Sequence, residues 1–203
     1  MTKSVLTNQF KKSLAFVLPY QIATVVIALI AQLAGTPVGV GLVLLIILIL
    51  WAPALLERVI RTKLPGSLQI NYFVFVIAAS LGGSGLGFYA HIPNWDTIVH
   101  LYSGIFLTWL GLFAVQQAEI KSKGKLPMWF GVLAGLSISL AFAVAWEIGE
   151  FLSDLFLHTT TQAGLEDTIV DMAAAVVGAT IALILASLVF LPKSVLPRAF
   201  VKK

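Results

Sequence analysis

Six apolar stretches, each about as long as a lipid bilayer requires, divide this sequence. They cover roughly 14–35, 38–58, 68–90, 96–117, 128–157 and 167–190, and Pro or Gly marks the connections between them. Of all residues, 59% are hydrophobic and 11% are charged, whereas soluble domains carry about 25% charged residues. The sequence therefore predicts one all-α transmembrane domain over 1–203, a bundle of six membrane-spanning helices.

All thirteen Lys and Arg residues fall on one side of these spans. They are Lys3, Lys11, Lys12, Arg58, Arg61, Lys63, Lys121, Lys123, Lys125, Lys193, Arg198, Lys202 and Lys203, and the loops 35–37, 91–95 and 158–166 contain none. Because cytoplasmic segments carry the excess of Lys and Arg, both termini are predicted to lie in the cytoplasm. The net charge of +4 then reflects topology and attraction to membrane lipid, with no nucleic-acid partner.

The acidic residues and histidines show the opposite bias. Seven of the nine acids and all three histidines belong to the outer halves of spans or to outer loops: Asp96, Glu147, Glu150, Asp154, Glu166, Asp167, Asp171, His91, His100 and His158. Glu57 and Glu119 lie with the bases. An ionisable group inside a span costs about 2.5–3.5 kcal/mol on insertion scales. The groups within spans therefore predict a functional polar site.

The tetrapeptide DTIV occurs twice and begins spans four and six. One copy starts at Asp96 and leads into His100, and the other starts at Asp167 and leads into Asp171. Residues four apart share a helix face, and they are separated by about 6 Å along the helix axis. Each copy thus predicts a carboxylate at the outer surface and a ligand-type group one turn below it. Capping of the helix start is the simpler alternative for the two leading aspartates.

Span five supplies a third set of polar groups from the opposite direction. Glu147, Glu150, Asp154 and His158 form one helical stripe, and Glu150 is expected level with His100 and Asp171. The predicted metal ligands are Asp96, His100, Glu150, Asp167 and Asp171, and the predicted catalytic residues are Glu147 and Glu150. Oxygen ligands with one imidazole suit a divalent cation such as Zn²⁺, Mg²⁺, Mn²⁺ or Fe²⁺. The absence of cysteine excludes thiolate ligands, but proton-carrying carboxylates would give the same pattern.

Three short motifs carry a resemblance to a known family. They are D-x3-H-x3-G from Asp96, E-x2-E-F from Glu147, and D-x3-D-M followed by Gly178. Over residues 80–185 these motifs resemble the bacterial inner-membrane family named for YjdF, and more loosely they are similar to VanZ-like membrane proteins. The YjdF-like pattern usually has a longer loop before its last D-x3-D than this sequence does. The resemblance implies a multi-spanning protein of the bacterial cytoplasmic membrane and no particular activity.

The residues leave three classes of function open. In the first, the site is that of a metal-dependent enzyme acting on a lipid or lipid-linked substrate, with Glu147 or Glu150 as general base. In the second, the acids bind cations or protons for a transporter or channel. The third is a non-catalytic assembly or resistance factor. Clustering of the ligands on one side favours the enzyme, and a lipid-like or cationic small molecule is the expected substrate.

Overall fold

The computed structural model describes residues 3–188 and 193–201, without the side chains of residues 3–12 and 157. Some of the predictions fall outside the described residues. They concern the end of the last span at 190 and the positive charges of Lys3, Lys11, Lys12, Lys202 and Lys203. Helices and turns make up the described residues, with no strand among them. Six helices are long and apolar enough to cross a membrane, which confirms the predicted fold class: Ser13–Leu33, Val40–Ile60, Gly66–Gly85, Trp95–Ser122, Met128–Phe156 and Leu165–Ser187.

The chain divides into two compact units, Met1–Trp95 and Asp96–Lys203. In the first are α1 (Lys3–Leu33), α2 (Val40–Ile49), α3 (Ala52–Ile60), α4 (Gly66–Val76), a π-helix (Ile77–Gly85) and α5 (Phe88–His91). In the second are α6, which begins at the boundary (Trp95–Ser122), α7 (Met128–Leu157), α8 (Leu165–Ser187) and a 3-10 turn (Arg198–Phe200). The sequence pattern predicted a single domain.

The second span is broken between α2 and α3 because Pro53 lies in the first turn of α3. Proline has no N–H, so it cannot donate to the carbonyl of Ile49 four residues earlier. The hydroxyl of Tyr72 donates to that carbonyl at 2.8 Å. The side-chain amide of Gln21 donates to the neighbouring carbonyl of Ile47 at 3.0 Å. Side chains of other helices thus satisfy the acceptors that the break leaves open.

The third span is shorter than predicted because its glycines change the helix. The α-helical hydrogen bonding of α4 gives way to the π-helix, which ends at Gly85, and the chain resumes helically only at Phe88. The ring of Tyr89 lies so close to Gly83 that an added Cβ would stand 2.2 Å from it. Gly87 has a φ of 76°, a backbone conformation that favours glycine. The sequence predicted one span to residue 90, and close ring packing and this turn end it earlier.

Glycines also bring the three helices of the second unit into contact. An added Cβ at Gly104 would lie 2.1 Å from the Ala175 carbonyl oxygen, and one at Gly178 would lie 2.0 Å from the Leu101 oxygen. These pairs show that the backbones of α6 and α8 touch where the two helices cross. Gly111 meets the backbone at Ala134 on α7, which runs antiparallel to α6. Small residues of this kind let backbones approach closely in membrane bundles.

Two buried glutamates, one in each unit, hold the loops that follow their helices. Glu57 accepts the backbone N–H of Leu64 at 2.9 Å, and Glu119 accepts that of Leu126 at 2.9 Å. Both leucines stand seven residues after their glutamate and precede a proline, in the pattern E-x3-[RK]-x-K-L-P. Both glutamates are buried, although the sequence placed them simply among the bases. The repeated spacing was the signal that could have identified their role.

Candidate metal site

One group of side chains at an end of the second unit has the arrangement of metal ligands. Asp96, His100 and Asp171 each offer a ligand atom, and these atoms all lie within 4.8 Å of one another. Asp96 and His100 come from successive turns of α6, and Asp171 comes from the second turn of α8. The contact of the two helices at Gly104 and Ala175 brings these side chains close together. The two DTIV segments therefore converge on one point.

Glu147 reaches the same point from α7. Its Oε1 lies 3.5 Å from His100 Nε2, and the same nitrogen lies 3.6 Å from Asp96 Oδ1. His100 and Glu147 are almost completely buried, at 3% and 5% exposure, and Asp171 is 1% exposed. A single imidazole nitrogen is thus approached by carboxylates from two different helices.

Several atoms of this group have no hydrogen-bond partner among the described residues. They are both carboxylate oxygens of Glu147, Oδ1 of Asp96, Oδ1 of Asp171 and Nδ1 of His100. The hydroxyls of Thr97 and Thr168 stand beside Asp171 and Glu147 respectively, and those four carboxylate oxygens still lack a bonded donor. Buried polar atoms without partners are costly, and in native proteins they usually contact water, a ligand or an ion. These atoms mark where a cation would fit.

Glu150 lies apart from the three-residue group. Its Oε1 accepts a hydrogen bond from Trp146 Nε1 at 2.9 Å, on the more exposed side of α7. The indole ring of Trp146 stands edge-on to the His100 ring, with 6.4 Å between the ring centres. The sequence placed Glu150 level with His100 and Glu147 below it, whereas the structure places Glu147 against the imidazole. The helical register explains the difference, because depth alone does not specify which face of α7 turns inward.

The remaining acids of this end have separate surroundings. Asp154 accepts the backbone N–H groups of Thr161 and Gln162 at 2.8 and 2.9 Å, and so fixes the loop between α7 and α8. Asp167 accepts the N–H of Ala163 at 3.4 Å. Asp167 also interacts electrostatically with Asp96. Because Ala163 precedes α8, this bond ties Asp167 to the preceding loop and does not cap the helix. Asp167 stays outside the group of mutually close ligand atoms.

No positive side chain offsets these acids. The sequence contains no Lys or Arg between residues 64 and 120 or between 126 and 192. The N-termini of α6 and α8 point toward the group and contribute partial positive charge, which favours Asp96 and Asp167 in their first turns. Two helix ends cannot neutralise all of these carboxylates when they are ionised. Bound protons or a bound cation are the remaining sources of charge compensation.

Residues 14–191 match the family described as "Predicted membrane protein (DUF2238)". The chain belongs to this family. The match includes the first two spans, which the resemblance drawn from sequence motifs treated only as generic apolar helices.

A protein of Thermotoga maritima, described as an "Uncharacterized protein", is 30% identical to this family member over 123 residues. The alignment covers 60% of this chain and 62% of the Thermotoga protein. The chain therefore spans somewhat less than two thirds of its relative. No solved structure matches.

Proposed function

We propose that this membrane protein binds a divalent cation between Asp96, His100 and Asp171, with Glu147 at the edge of the site. The observation that supports this most strongly is the burial of an imidazole among carboxylates, four of whose oxygens lack a hydrogen-bond partner in the described part of the chain. Removing such charges from water costs several kcal/mol per ion unless a partner is present. A divalent ion would provide that partner at the point where the ligand atoms converge.

The donor set favours a transition metal or zinc over magnesium. Mg²⁺ prefers octahedral oxygen ligands and retains several waters, whereas imidazole suits Zn²⁺ and Fe²⁺, and carboxylates suit Mn²⁺. The site offers one nitrogen and two or three carboxylates within a buried space. Three protein ligands leave a coordination position open for a water or a substrate, as in catalytic zinc sites.

The chemistry that fits this arrangement is hydrolysis of a lipid or lipid-linked substrate. A metal ion held by the three ligands would supply a water of increased acidity. Glu147 would accept the proton of that water as its oxygen forms a bond to the substrate, and the leaving group would depart with this proton. Both Glu147 oxygens lack hydrogen-bond partners and stand beside the proposed ligand His100, as this role requires.

The packing below the site favours a one-sided enzyme over a transport path. Immediately inward from His100 and Asp171, the backbones of α6 and α8 touch at Gly104 and Ala175 and again at Gly178. Passage of an ion between these helices would require them to separate. A cation transporter is the second proposal, because two further polar side chains are buried inward of the site. They are Thr108 and Ser139.

Metal binding tests the proposal directly. Purified protein in dodecyl maltoside should bind one Mn²⁺ or Zn²⁺ by elemental analysis and isothermal titration. His100→Ala and Asp171→Asn should lower the affinity about 100-fold or more, since even supporting residues of metal sites contribute 10–100-fold. Glu166→Gln makes the same change of charge at an exposed residue of α8 and should leave the affinity unchanged. Equal metal binding by all four proteins would refute the site.

Activity tests separate the two proposals. Membrane lipid extract incubated with metal-loaded protein should yield a cleaved product with the wild type and none with Glu147→Gln. Vesicles containing the protein should accumulate no Mn²⁺. Metal uptake without lipid turnover would support the transporter in place of the enzyme.

We also propose that the protein lies in the bacterial cytoplasmic membrane and that it is YjdF-like. The Lys and Arg distribution supports both termini in the cytoplasm, and the Thermotoga relative supports a bacterial cytoplasmic membrane. On this orientation the site faces outward. The motifs at Asp96, Glu147 and Asp167 support a YjdF-like assignment. The looser VanZ-like similarity rests on D-x3-H followed by an E and then by a D before a Gly-containing helix.

A further inference from the structure

When they are all ionised, the carboxylates around the proposed site carry more negative charge than one divalent ion balances. Five carboxylates lie in this region, on Asp96, Glu147, Glu150, Asp167 and Asp171, and electrostatic interactions connect them. A divalent ion balances two negative charges. A substrate that carried a phosphate near these groups would meet an excess of negative charge and no Arg or Lys to bind it. The electrostatics therefore favour a substrate that brings its own positive charge.

Trp146 and Glu150 form a second polar feature beside the metal ligands. The indole donates to the carboxylate at 2.9 Å, and Trp146 is 37% exposed. Both residues belong to the spanning part of α7, Met128–Phe156, where an exposed polar pair is expensive in lipid. The indole ring also lies nearly perpendicular to the His100 ring, with 6.4 Å between the ring centres. The pair thus lies between the buried ligands and the exposed surface of its helix.

An aromatic face next to a carboxylate is a favourable environment for an ammonium group. The ring attracts the cation through its quadrupole and the carboxylate attracts it through its charge. We infer that Trp146 and Glu150 bind the ammonium head of an amine-bearing lipid. Binding there would place the bonds next to the amine beside the metal ligands, and this second step rests on the proposed function. The binding itself requires only the Trp146–Glu150 pair.

Probes of equal chain length test the inference in dodecyl maltoside, which is uncharged. Dodecyltrimethylammonium, dodecanol and dodecyl phosphate would be titrated against the protein, with tetramethylammonium as the soluble amine. The long-chain ammonium should bind about tenfold or more tightly than the other long-chain probes, which corresponds to a desolvated cation–π contact. Equal binding by tetramethylammonium would assign the subsite to soluble amines instead of lipids.

Variants connect this preference to the two residues. Glu150→Gln and Trp146→Leu should each abolish the preference for the ammonium probe, whereas Glu166→Gln should retain it. Mn²⁺ affinity measured on Glu150→Gln should stay within about threefold of wild type, because Glu150 lies outside the three-residue group. A preference that persists in both Glu150→Gln and Trp146→Leu, or no preference in the wild type, would overturn the inference. If the wild type prefers the ammonium probe but does not bind Mn²⁺, only the proposed metal function is refuted.

Discussion

His100 Nε2 on α6 lies 3.5 Å from Glu147 Oε1 on α7, with both side chains buried. The two residues are 47 positions apart in sequence, and the antiparallel contact of their helices brings them together. Glu147 needs this imidazole, or an ion bound to it, because neither of its oxygens has a hydrogen-bond donor in the described part of the chain. The stability of the second unit should therefore respond to charge at this position.

Glu147→Gln should separate folding from metal response. Without metal, the variant should unfold at the same temperature as the wild type or slightly higher, because it removes a buried charge that has no donor. At a metal concentration of 100 times the Kd, the wild type should gain about 2.7 kcal/mol, or about 5–10 °C in Tm. The variant should gain less than half of this in differential scanning fluorimetry. Glu166→Gln serves as the matched control, and an identical metal response in Glu147→Gln would contradict the assignment.

Gly178→Ala should destabilise the protein severely. The added methyl group would stand 2.0 Å from the Leu101 carbonyl oxygen, so α6 and α8 would have to separate. Overpacking of this kind costs about 1–3 kcal/mol, and more where backbone must move. Gly149→Ala is the matched control because no atom lies within 4 Å of the added carbon, and it should be neutral or stabilising by about 0.5–1 kcal/mol. Thermal unfolding of both variants in detergent measures the difference.

Glu119→Ala should loosen the loop and the C-terminal segment together. The carboxylate accepts the N–H of Leu126 at 2.9 Å and that of Arg198 at 2.7 Å. Each buried donor left without an acceptor costs about 1–3 kcal/mol. Hydrogen exchange should rise at residues 124–126 and 196–200, and the unfolding temperature should fall. Glu166→Ala, which removes an exposed acid, should show neither effect. Exchange that increases only in the loop would mean that the Arg198 bond contributes little.

Cysteine labelling should report the orientation, since the chain has no native cysteine. Thr160→Cys lies in the loop between α7 and α8, and Lys125→Cys lies in the loop between α6 and α7, both at exposed residues. An impermeant maleimide should label the first in intact cells and the second only after permeabilisation. The reverse result would place the carboxylate site on the cytoplasmic side.

Asp154→Ala should release the loop between α7 and α8 without removing the metal site. Asp154 accepts two backbone N–H groups and the hydroxyls of Thr159 and Thr161. Hydrogen exchange at residues 159–163 should increase at least tenfold, since the lost bonds are each equivalent to about 1 kcal/mol or more. Metal affinity should change by less than tenfold. A larger loss of affinity would show that the loop shapes the site.

The sequence by itself determined that this is a six-helix membrane protein and which polar residues its spans carry. Long apolar runs leave a chain few alternatives in a bilayer, and ionisable groups inside them are too costly to be accidental. The repeat of DTIV also indicated that Asp96 lies level with Asp167, and that His100 lies level with Asp171 one turn deeper. These inferences need only the rise of a helix and the thickness of the membrane.

Only the tertiary structure decided which groups touch. Periodicity specifies the depth of Glu147 and Glu150 but not the rotation of α7, and side-chain contacts depend on that rotation. The contacts of Gly104 with Ala175 and of Gly178 with Leu101 fix the approach of α6 to α8, and no local pattern encodes which glycine meets which backbone. The same holds for the break at Pro53, whose freed carbonyl is satisfied by Tyr72 from another helix. Long-range packing therefore selected Glu147 as the neighbour of His100 and left Glu150 with Trp146.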